Sequence, residues 1–569
     1  MRYKRKLVCG FACLLVSNLL NLFAPYVLRR VIDDLRFGIT QAKLWQYGGL
    51  LILIAAVRGA VLFFQRSLII GVARDIEYRL RNDLYAHLQK LPPEFYQEHR
   101  TGDLMARATS DLSVIRNAVG MGLISIMNMA FTLTLILPMM IWVSWKLTLL
   151  AFLPLPLLAV TTRSFSARIH QRSKQVQEYF GKVSSSAQEM LTGQRVTRAY
   201  VQEQAEFDKF KAVNQQYVAY NLSLIHLASI FRPLLQFFVS LSFIMVFLYG
   251  GHLVINGQLS IGKFVQQTMY LGLLIGPITA FGFVINLYQR ALASMGRIDV
   301  ILSTDPSIRD TERVRDGLKI SGDIEFRDLT FSYRGSRSPA LRNINLRILP
   351  GQTVAIVGEV GSGKSTLMQL ICRLIDAESD QLLIDQRPVQ EIPLQVLRSA
   401  IGYVPQETIL FSETVAENVA FGKDDATPEE IEQAALEAGM VADIKEFPQG
   451  YETIIGERGV TLSGGQRQRA AIARALIRRP RILLLDDALS SVDLHTEEQI
   501  LKHLRRVRHG RTSLVSSHRL STIKDADLIV VLEAGCIVER GTHDELIARC
   551  GFYAALYQRQ LLEADLMRN

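Results

Sequence analysis

Cysteine is scarce in this chain, and the five present form no pattern. Cys9, Cys13, Cys372, Cys536 and Cys550 show no metal-ligand spacing. This argues against a structural zinc site or a disulfide framework and for free thiols in a reducing cytosol. Low-complexity tracts and short internal repeats are also lacking, which excludes a solenoid. Charged residues are few, 21% against 49% hydrophobic, too apolar a mixture for one ordinary soluble domain. With 569 residues the chain exceeds what one core holds, so a membrane part and a soluble part are expected.

The net charge is +10. Nucleic-acid binding is one reading of such a surplus, and the positive-inside bias of a membrane protein is the other. The distribution favours the second. Arg74, Arg79, Arg81, Lys90, Arg100, Arg107 and Arg116 fall between one pair of apolar runs. Arg163, Arg168, Arg172, Lys174, Lys182, Arg195, Arg198, Lys209 and Lys211 fall between another. The intervening short loops carry few basic residues, and no nucleic-acid partner is expected. Arg2, Lys4, Arg5 and Lys6 precede an apolar run that continues through Asn18, Asn21 and Pro25 to Tyr26. That run is too long for a signal-peptide core, and is expected as a retained first span with its N-terminus in the cytosol.

Six apolar stretches precede residue 300: 7–29, 47–71, 119–143, 147–163, 228–250 and 265–289. A span needs about 20 apolar residues, so the fourth helix is expected to continue into the polar residues after it. Spans 2–3 and 4–5 are joined by long charged segments of helical composition, expected to extend into the cytosol. Residues 301–322 are polar, with Pro306, Gly317 and Gly322, and suit a linker. From Ile324 onward short β-rich runs alternate with helical segments, which is α/β patterning. The expected organisation is a helical transmembrane domain over 1–300, a linker over 301–322 and an α/β nucleotide-binding domain over 323–569.

Gly358, Glu359, Val360, Gly361, Ser362, Gly363, Lys364, Ser365 and Thr366 follow the pattern G-x4-G-K-[ST]. The strand-like run Thr353–Val357 precedes them and the helical run Leu367–Leu374 follows. Glycines let the backbone curl so that its N–H groups face phosphate oxygens, and the helix N-terminus adds a favourable dipole. Lys364 would pair with the β- and γ-phosphates of ATP, and Ser365 would ligate Mg²⁺. Four apolar residues, Ile482–Leu485, form a candidate buried strand ending in Asp486 and Asp487. Asp486 would hold Mg²⁺ through water.

Between these motifs stands Leu462-Ser463-Gly464-Gly465-Gln466-Arg467-Gln468-Arg469. It resembles the signature of ABC transporter ATPases. Six spans with two cytosolic extensions and then an ATPase resemble, over almost the whole chain, a bacterial multidrug-type ABC exporter half-transporter. The resemblance implies an α-helical six-span domain followed by an α/β P-loop ATPase in the cytoplasmic (inner) membrane, with the ATPase in the cytosol. It also assigns Tyr333 to adenine stacking and Gln406 to Mg²⁺ and the attacking water. Asp493 matches the loop that crosses to the other subunit, and His518 matches the γ-phosphate contact. Leu462, Ser463, Gly464, Gly465 and Gln466 would face the partner's ATP. Glu457-Arg458-Gly459 resembles a segment that touches cytosolic helices of the membrane domain, there near Phe95–Asp103 and Ala199–Phe207.

One residue departs from the family. After the magnesium aspartate the family carries a glutamate that polarises the attacking water, and here Asp487 stands. A general base must come within about 2.6–3.2 Å of its proton. Aspartate is one methylene shorter, and a misplacement of about 1 Å costs up to about a hundredfold in rate. This site is expected to bind ATP and hydrolyse it weakly. An altered carboxylate beside an intact signature resembles the degenerate-site subunit of heterodimeric exporters. The expected partner is a second half-transporter carrying the glutamate. Export of amphiphilic compounds is the expected function. A lipid or peptide exporter, a homodimeric pump and an ATP-gated regulatory subunit stay open as alternatives. Among charged residues near the spans only Arg58 sits well inside an apolar run.

Overall fold

The structure, a computed structural model, describes residues 3–36, 38–310, 317–336, 338–378, 380–456, 459, 462–488, 508, 510–517 and 523–568. The chain divides into two compact units, one of residues 1–86 and 102–303, the other of 87–101 and 304–569.

The first unit is helical. It contains α1 (Lys4–Arg36) and most of α2 (Gln41–Leu88), while α3 (Pro93–Glu98) belongs to the second unit. Then come α4 (Thr101–Ala106), a π-turn at Arg107–Asp111, α5 (Leu112–Asn117) and a second π-turn at Ala118–Gly122. They are followed by α6 (Leu123–Phe152), α7 (Leu155–Thr192), α8 (Gln194–Ala199), α9 (Glu203–Ile255) and α10 (Ile261–Leu302). With 48 and 53 residues, α2 and α9 are about 70 and 80 Å long, far beyond a hydrocarbon core of about 30 Å.

Among the described residues, five helical stretches are long and apolar enough to cross a membrane, where the sequence suggests six. The runs 119–143 and 147–163 both fall in one stretch, Thr101–Thr192. That stretch is broken at Ser144, whose backbone is extended (φ −164°, ψ 109°). The Leu147 amide donates to Ser144 Oγ at 3.4 Å, and Thr148 Oγ1 donates to the Ser144 carbonyl at 2.9 Å. Ser144 thus caps the helix that resumes after it. A turn at Leu153-Pro154 then starts α7, since proline has no N–H to give the preceding helix. As expected from the polar residues beyond 163, α7 runs on to Thr192.

Leu22, Ile136, Met140, Leu147, Val246, Tyr270 and Leu274 form a core where α1, α6, α9 and α10 meet. At Gly250 a Cβ would stand 2.7 Å from the Phe264 ring, so the close approach of α9 to α10 requires glycine. Buried polar side chains pair with one another, as an apolar surround demands. Gln267 donates to Thr148 Oγ1 and Gln266 to the Tyr270 hydroxyl, each at 3.0 Å. The helices α7 and α9 meet through stacked rings, Phe165 on Phe231 and Tyr179 on Tyr220.

The second unit is α/β. Its elements are β1 (Ile324–Phe331), β2 (Leu341–Ile348), β3 (Thr353–Gly358), α11 (Lys364–Ile371), β4 (Leu382–Ile384), β5 (Arg387–Pro388), α12 (Leu394–Ser399) and β6 (Ile401–Val404). They continue as α13 (Val415–Ala420), α14 (Pro428–Glu437), α15 (Val441–Glu446), α16 (Gly464–Leu476), β7 (Ile482–Asp486) and β8 (Thr512–Ser516). After these come β9 (Leu528–Glu533), β10 (Cys536–Gly541), α17 (His543–Ala548) and α18 (Phe552–Arg568). Among the described residues one sheet runs β2-β1-β4-β5, antiparallel throughout. The other runs β10-β9-β3-β8-β7-β6, parallel except for the β10 edge. Every residue of β7 is buried, as its unbroken apolar run requires of a central parallel strand. The parallel register brings the carboxyl ends of β3, β8, β7 and β6 to one edge, where α/β sheets bind ligands.

Candidate active site

The site begins where β3 turns into α11. Two glycines make that turn possible. A Cβ on Gly358 would collide with the Leu532 carbonyl of β9. Gly363 has φ +103°, and a Cβ there would stand 2.6 Å from Leu341 Cδ2. The helix opens at Lys364, three residues before the expected Leu367. Lys364 is 7% exposed, and its Nζ donates to the Gly358 and Glu359 carbonyls, each at 2.8 Å. Burial pulls its pKa down, against the pull of Asp487 and Asp486. An ammonium held in low dielectric beside an open loop gains strongly from an arriving polyphosphate.

Asp486 ends β7 and pairs in register with Ser516 of β8. Burial holds its carboxyl above the ordinary range, and Asp487 adds to the rise. The Ser365 hydroxyl, Lys364 and Ser516 act against it. The Ser365 hydroxyl and the Asp486 carboxylate, brought together, are hard oxygen donors of the kind Mg²⁺ takes. Ser362 Oγ is buried with no hydrogen-bond partner among the described residues, an acceptor or donor left for a ligand in the loop. The residues present therefore fit a magnesium nucleotide.

Asp487 is 5% exposed. Its amide donates to the Ser516 carbonyl at 2.9 Å, and its φ of +45° is left-handed. Among non-glycine residues aspartate is one of the few that adopt this region readily, so the residue suits the backbone it sits on. Gln406 is exposed just past β6, and β6 pairs with β7 through Val404 and Leu485. The two strands thus end side by side, with Gln406 two residues past Val404 and the aspartates one and two residues past Leu485. Tyr333 lies past β1, edge-on to Phe331 with ring centroids 5.1 Å apart. Its hydroxyl meets Thr366 Oγ1 at 3.1 Å and donates to Gln369 Oε1 at 3.4 Å.

The signature residues stand elsewhere, at the N-terminus of α16. Ser463 caps that helix: its Oγ accepts from the Gln466 amide at 3.2 Å, and Gln466 Oε1 accepts from the Ser463 amide at 2.9 Å. Leu462 is buried in a cluster with Leu410, Val415, Met440 and Ile444. Gly464 and Gly465 form the first turn. Among the described residues, the side-chain hydrogen bonds of Ser463 and Gln466 run to each other and to Asp443. His518, Asp493, Glu457 and Arg458 lie outside the described residues.

Sequence reasoning missed Ser516, Gln369 and Asp443. Ser516 reaches Asp486 through strand register, which no local pattern encodes. Gln369 lies three residues past Thr366, on the helix face one turn on, and that spacing was a usable signal. Asp443 carries no motif.

Residues 7–278 match the model of the ABC transporter transmembrane region, and residues 341–490 match that of the ABC transporter. The chain is 39% identical to the probable multidrug resistance ABC transporter ATP-binding/permease protein YheI of Bacillus subtilis, over 98% of this chain and 96% of that one. It is 36% identical to the multidrug resistance-like ATP-binding protein MdlA of Escherichia coli, over 99% and 95%. With the ATP-dependent lipid A-core flippase of Salmonella typhimurium it shares 34% identity, over 98% and 96%. Among solved structures, a bacterial Atm1-family ABC exporter with ATP bound superposes with a TM-score of 0.80 at 27% identity, covering 98% of each chain.

Proposed function

The chain belongs to the ABC transporter family and is an ATP hydrolase coupled to transport, and from that premise we propose that it is one half of a dimeric exporter of amphiphilic compounds. In this reading a transmembrane domain over 1–300 carries six spans, a linker covers 301–322 and the nucleotide-binding domain covers 323–569. The domain and the N-terminus face the cytosol, and the membrane is the cytoplasmic (inner) one. The concentration of basic residues between spans 2–3 and 4–5 supports that orientation. An amphiphilic substrate is supported by relatives named for multidrug resistance and for lipid A-core flipping.

ATP sits with its phosphates in the loop Gly358–Thr366 and its base on Tyr333. Lys364 leaves its two carbonyl partners for the β- and γ-phosphates. Ser365, Gln406 and Asp486 would hold Mg²⁺, which would supply charge neutralisation to the phosphates. Asp487 and Gln406 would serve the attacking water, and His518 would contact the γ-phosphate. The partner's signature closes the site, and this chain's Leu462–Gln466 with Asp493 serves the partner's ATP in return. One observation carries the weak-site reading. Asp487 follows a buried strand and carries a side chain one methylene shorter than glutamate, so its carboxylate stands back from where a glutamate would reach. The partner is then a different half-transporter that carries the glutamate.

The test is Mg-ATP turnover by the purified chain beside Asp487→Glu. A rise of about tenfold or more in the variant, from near-inert wild type, supports the degenerate site. Brisk turnover by the wild type alone makes the chain a homodimeric pump. Uptake of an amphiphilic dye into inverted vesicles separates a pump from an ATP-gated regulatory subunit.

A further inference from the structure

Asp443 occupies a position that the activity described so far does not use. It lies in the first turn of α15, 8% exposed. It receives two hydrogen bonds from the Arg469 guanidinium, Nε to Oδ2 at 2.6 Å and Nη2 to Oδ1 at 2.7 Å. Both side chains of the pair are 11% exposed. A two-pronged pair of this kind fixes orientation as well as distance. Arg469 lies in the second turn of α16, the helix whose N-terminus is the signature. The same Asp443 Oδ1 also accepts from Gln466 Nε2 at 3.4 Å, and Gln466 closes the capping box with Ser463. Asp443 therefore holds Arg469 directly and is linked through Gln466 to the Ser463 backbone and hydroxyl.

We propose that Asp443 is a positioning residue for the signature, and so acts on the nucleotide held by the partner subunit rather than on this chain's own. The inference rests on the reading that Ser463–Gln466 serve the partner's ATP. The physical ground is the cost of burial. Two charges taken out of water are tolerated only with near-ideal geometry, and removing one partner leaves the other uncompensated. Arg469 cannot drift without breaking the pair, so α16 is held in one rotation and depth about its own axis. The glycine pair Gly464-Gly465 has no side chains with which to fix the first turn. The body of the helix is held by its buried face, Ala470 to Leu476, and near the signature Arg469 and Gln466 add their bonds to Asp443, while Arg467 ties the loop ahead by donating to the Leu462 carbonyl at 2.9 Å.

The experiment uses the assembled transporter with Asp443→Asn, which keeps shape and removes the charge, and Arg469→Lys, which keeps charge and removes the fork. Two readouts are taken: binding of a fluorescent ATP analogue without Mg²⁺, and Mg-ATP turnover. A loss of about tenfold or more in turnover, with analogue affinity unchanged within about twofold, is expected for both variants. In a Ser463→Ala background, Asp443→Asn is expected to add no further loss, because both act through one group. Equal loss of analogue binding, or losses that multiply in the double variant, overturns the proposal and makes the pair a general support of the fold. If Ser463→Ala alone leaves turnover intact, the signature reading itself fails. If Ser463→Ala lowers turnover and both pair variants leave it intact, only the present inference fails. Should Asp443→Asn not fold, Arg469→Lys with its conserved charge decides.

Discussion

Asp486 shows at the residue scale how binding and stability oppose each other. Its carboxyl is raised in the folded state by burial first and by Asp487 second. A raised carboxyl binds its proton more tightly when folded. Its favourable contribution is therefore full below the unfolded value and is lost as pH rises through the folded one. At neutral pH the ionised group is a net cost to the nucleotide-free protein. Asp486→Asn is expected to raise the apparent melting temperature of the nucleotide-free chain by about 1–3 °C, and to remove the Mg²⁺ dependence of ATP binding at this chain's own site. Differential scanning fluorimetry at pH 7 checks the first outcome, and the gain should shrink at lower pH. No gain at any pH would falsify the idea that burial strains this carboxylate. Asp487 is a contrasting case: a residue whose identity was plain in the sequence, yet whose left-handed φ of +45° emerges only when β7 and β8 are placed side by side.

Elements differ in how far their neighbours in sequence determine them. The turn from β3 to α11 is local: glycine spacing, a preceding apolar run and Lys364-Ser365-Thr366 specify it within nine residues. Gly363→Ala is thus expected to strike only that element. Its φ of +103° and the 2.6 Å approach to Leu341 would strain an alanine by about 1–3 kcal/mol. An ATP-analogue affinity at least about tenfold weaker, with an unchanged far-UV circular dichroism spectrum, is the outcome to look for; unchanged affinity would mean the loop tolerates a Cβ. The capping box at Ser463 and Gln466 is equally local, S-x-x-Q before a helix, although it was not read from the sequence. The strand order β10-β9-β3-β8-β7-β6 was not legible, because parallel neighbours come from distant parts of the chain. Nor was the break at Ser144. Hydropathy runs through it, and the extended backbone is recognised only by the bonds its side chain and carbonyl make to Leu147 and Thr148. Asp443 was missed for the same reason: twenty-six residues separate it from Arg469, and no composition marks the pair.

For the whole molecule, the proposal that each signature closes on the partner's nucleotide makes ATP act at two places with different dependence on assembly. Residues of the second unit alone build the phosphate site, from β3, α11, β6, β7 and β8. A ligand that binds only the folded form protects it by RT ln(1 + [L]/Kd), about 2.7 kcal/mol at a hundredfold excess over Kd. Amide exchange in Val357–Ile371 should therefore slow on adding ATP whether or not two chains are paired. Among the described residues, the side chains of Ser463 and Gln466 bond each other and Asp443. The signature amides should slow only when a second chain brings its own nucleotide across. Hydrogen exchange on dilute, singly reconstituted chains beside assembled transporter separates the two. Lys364→Ala should remove the first protection within its own chain and, in a pair, the second on its partner. Protection of Ser463–Gln466 by ATP in an isolated chain would show that the signature answers to its own phosphate loop, and the crossed arrangement would then have no physical basis.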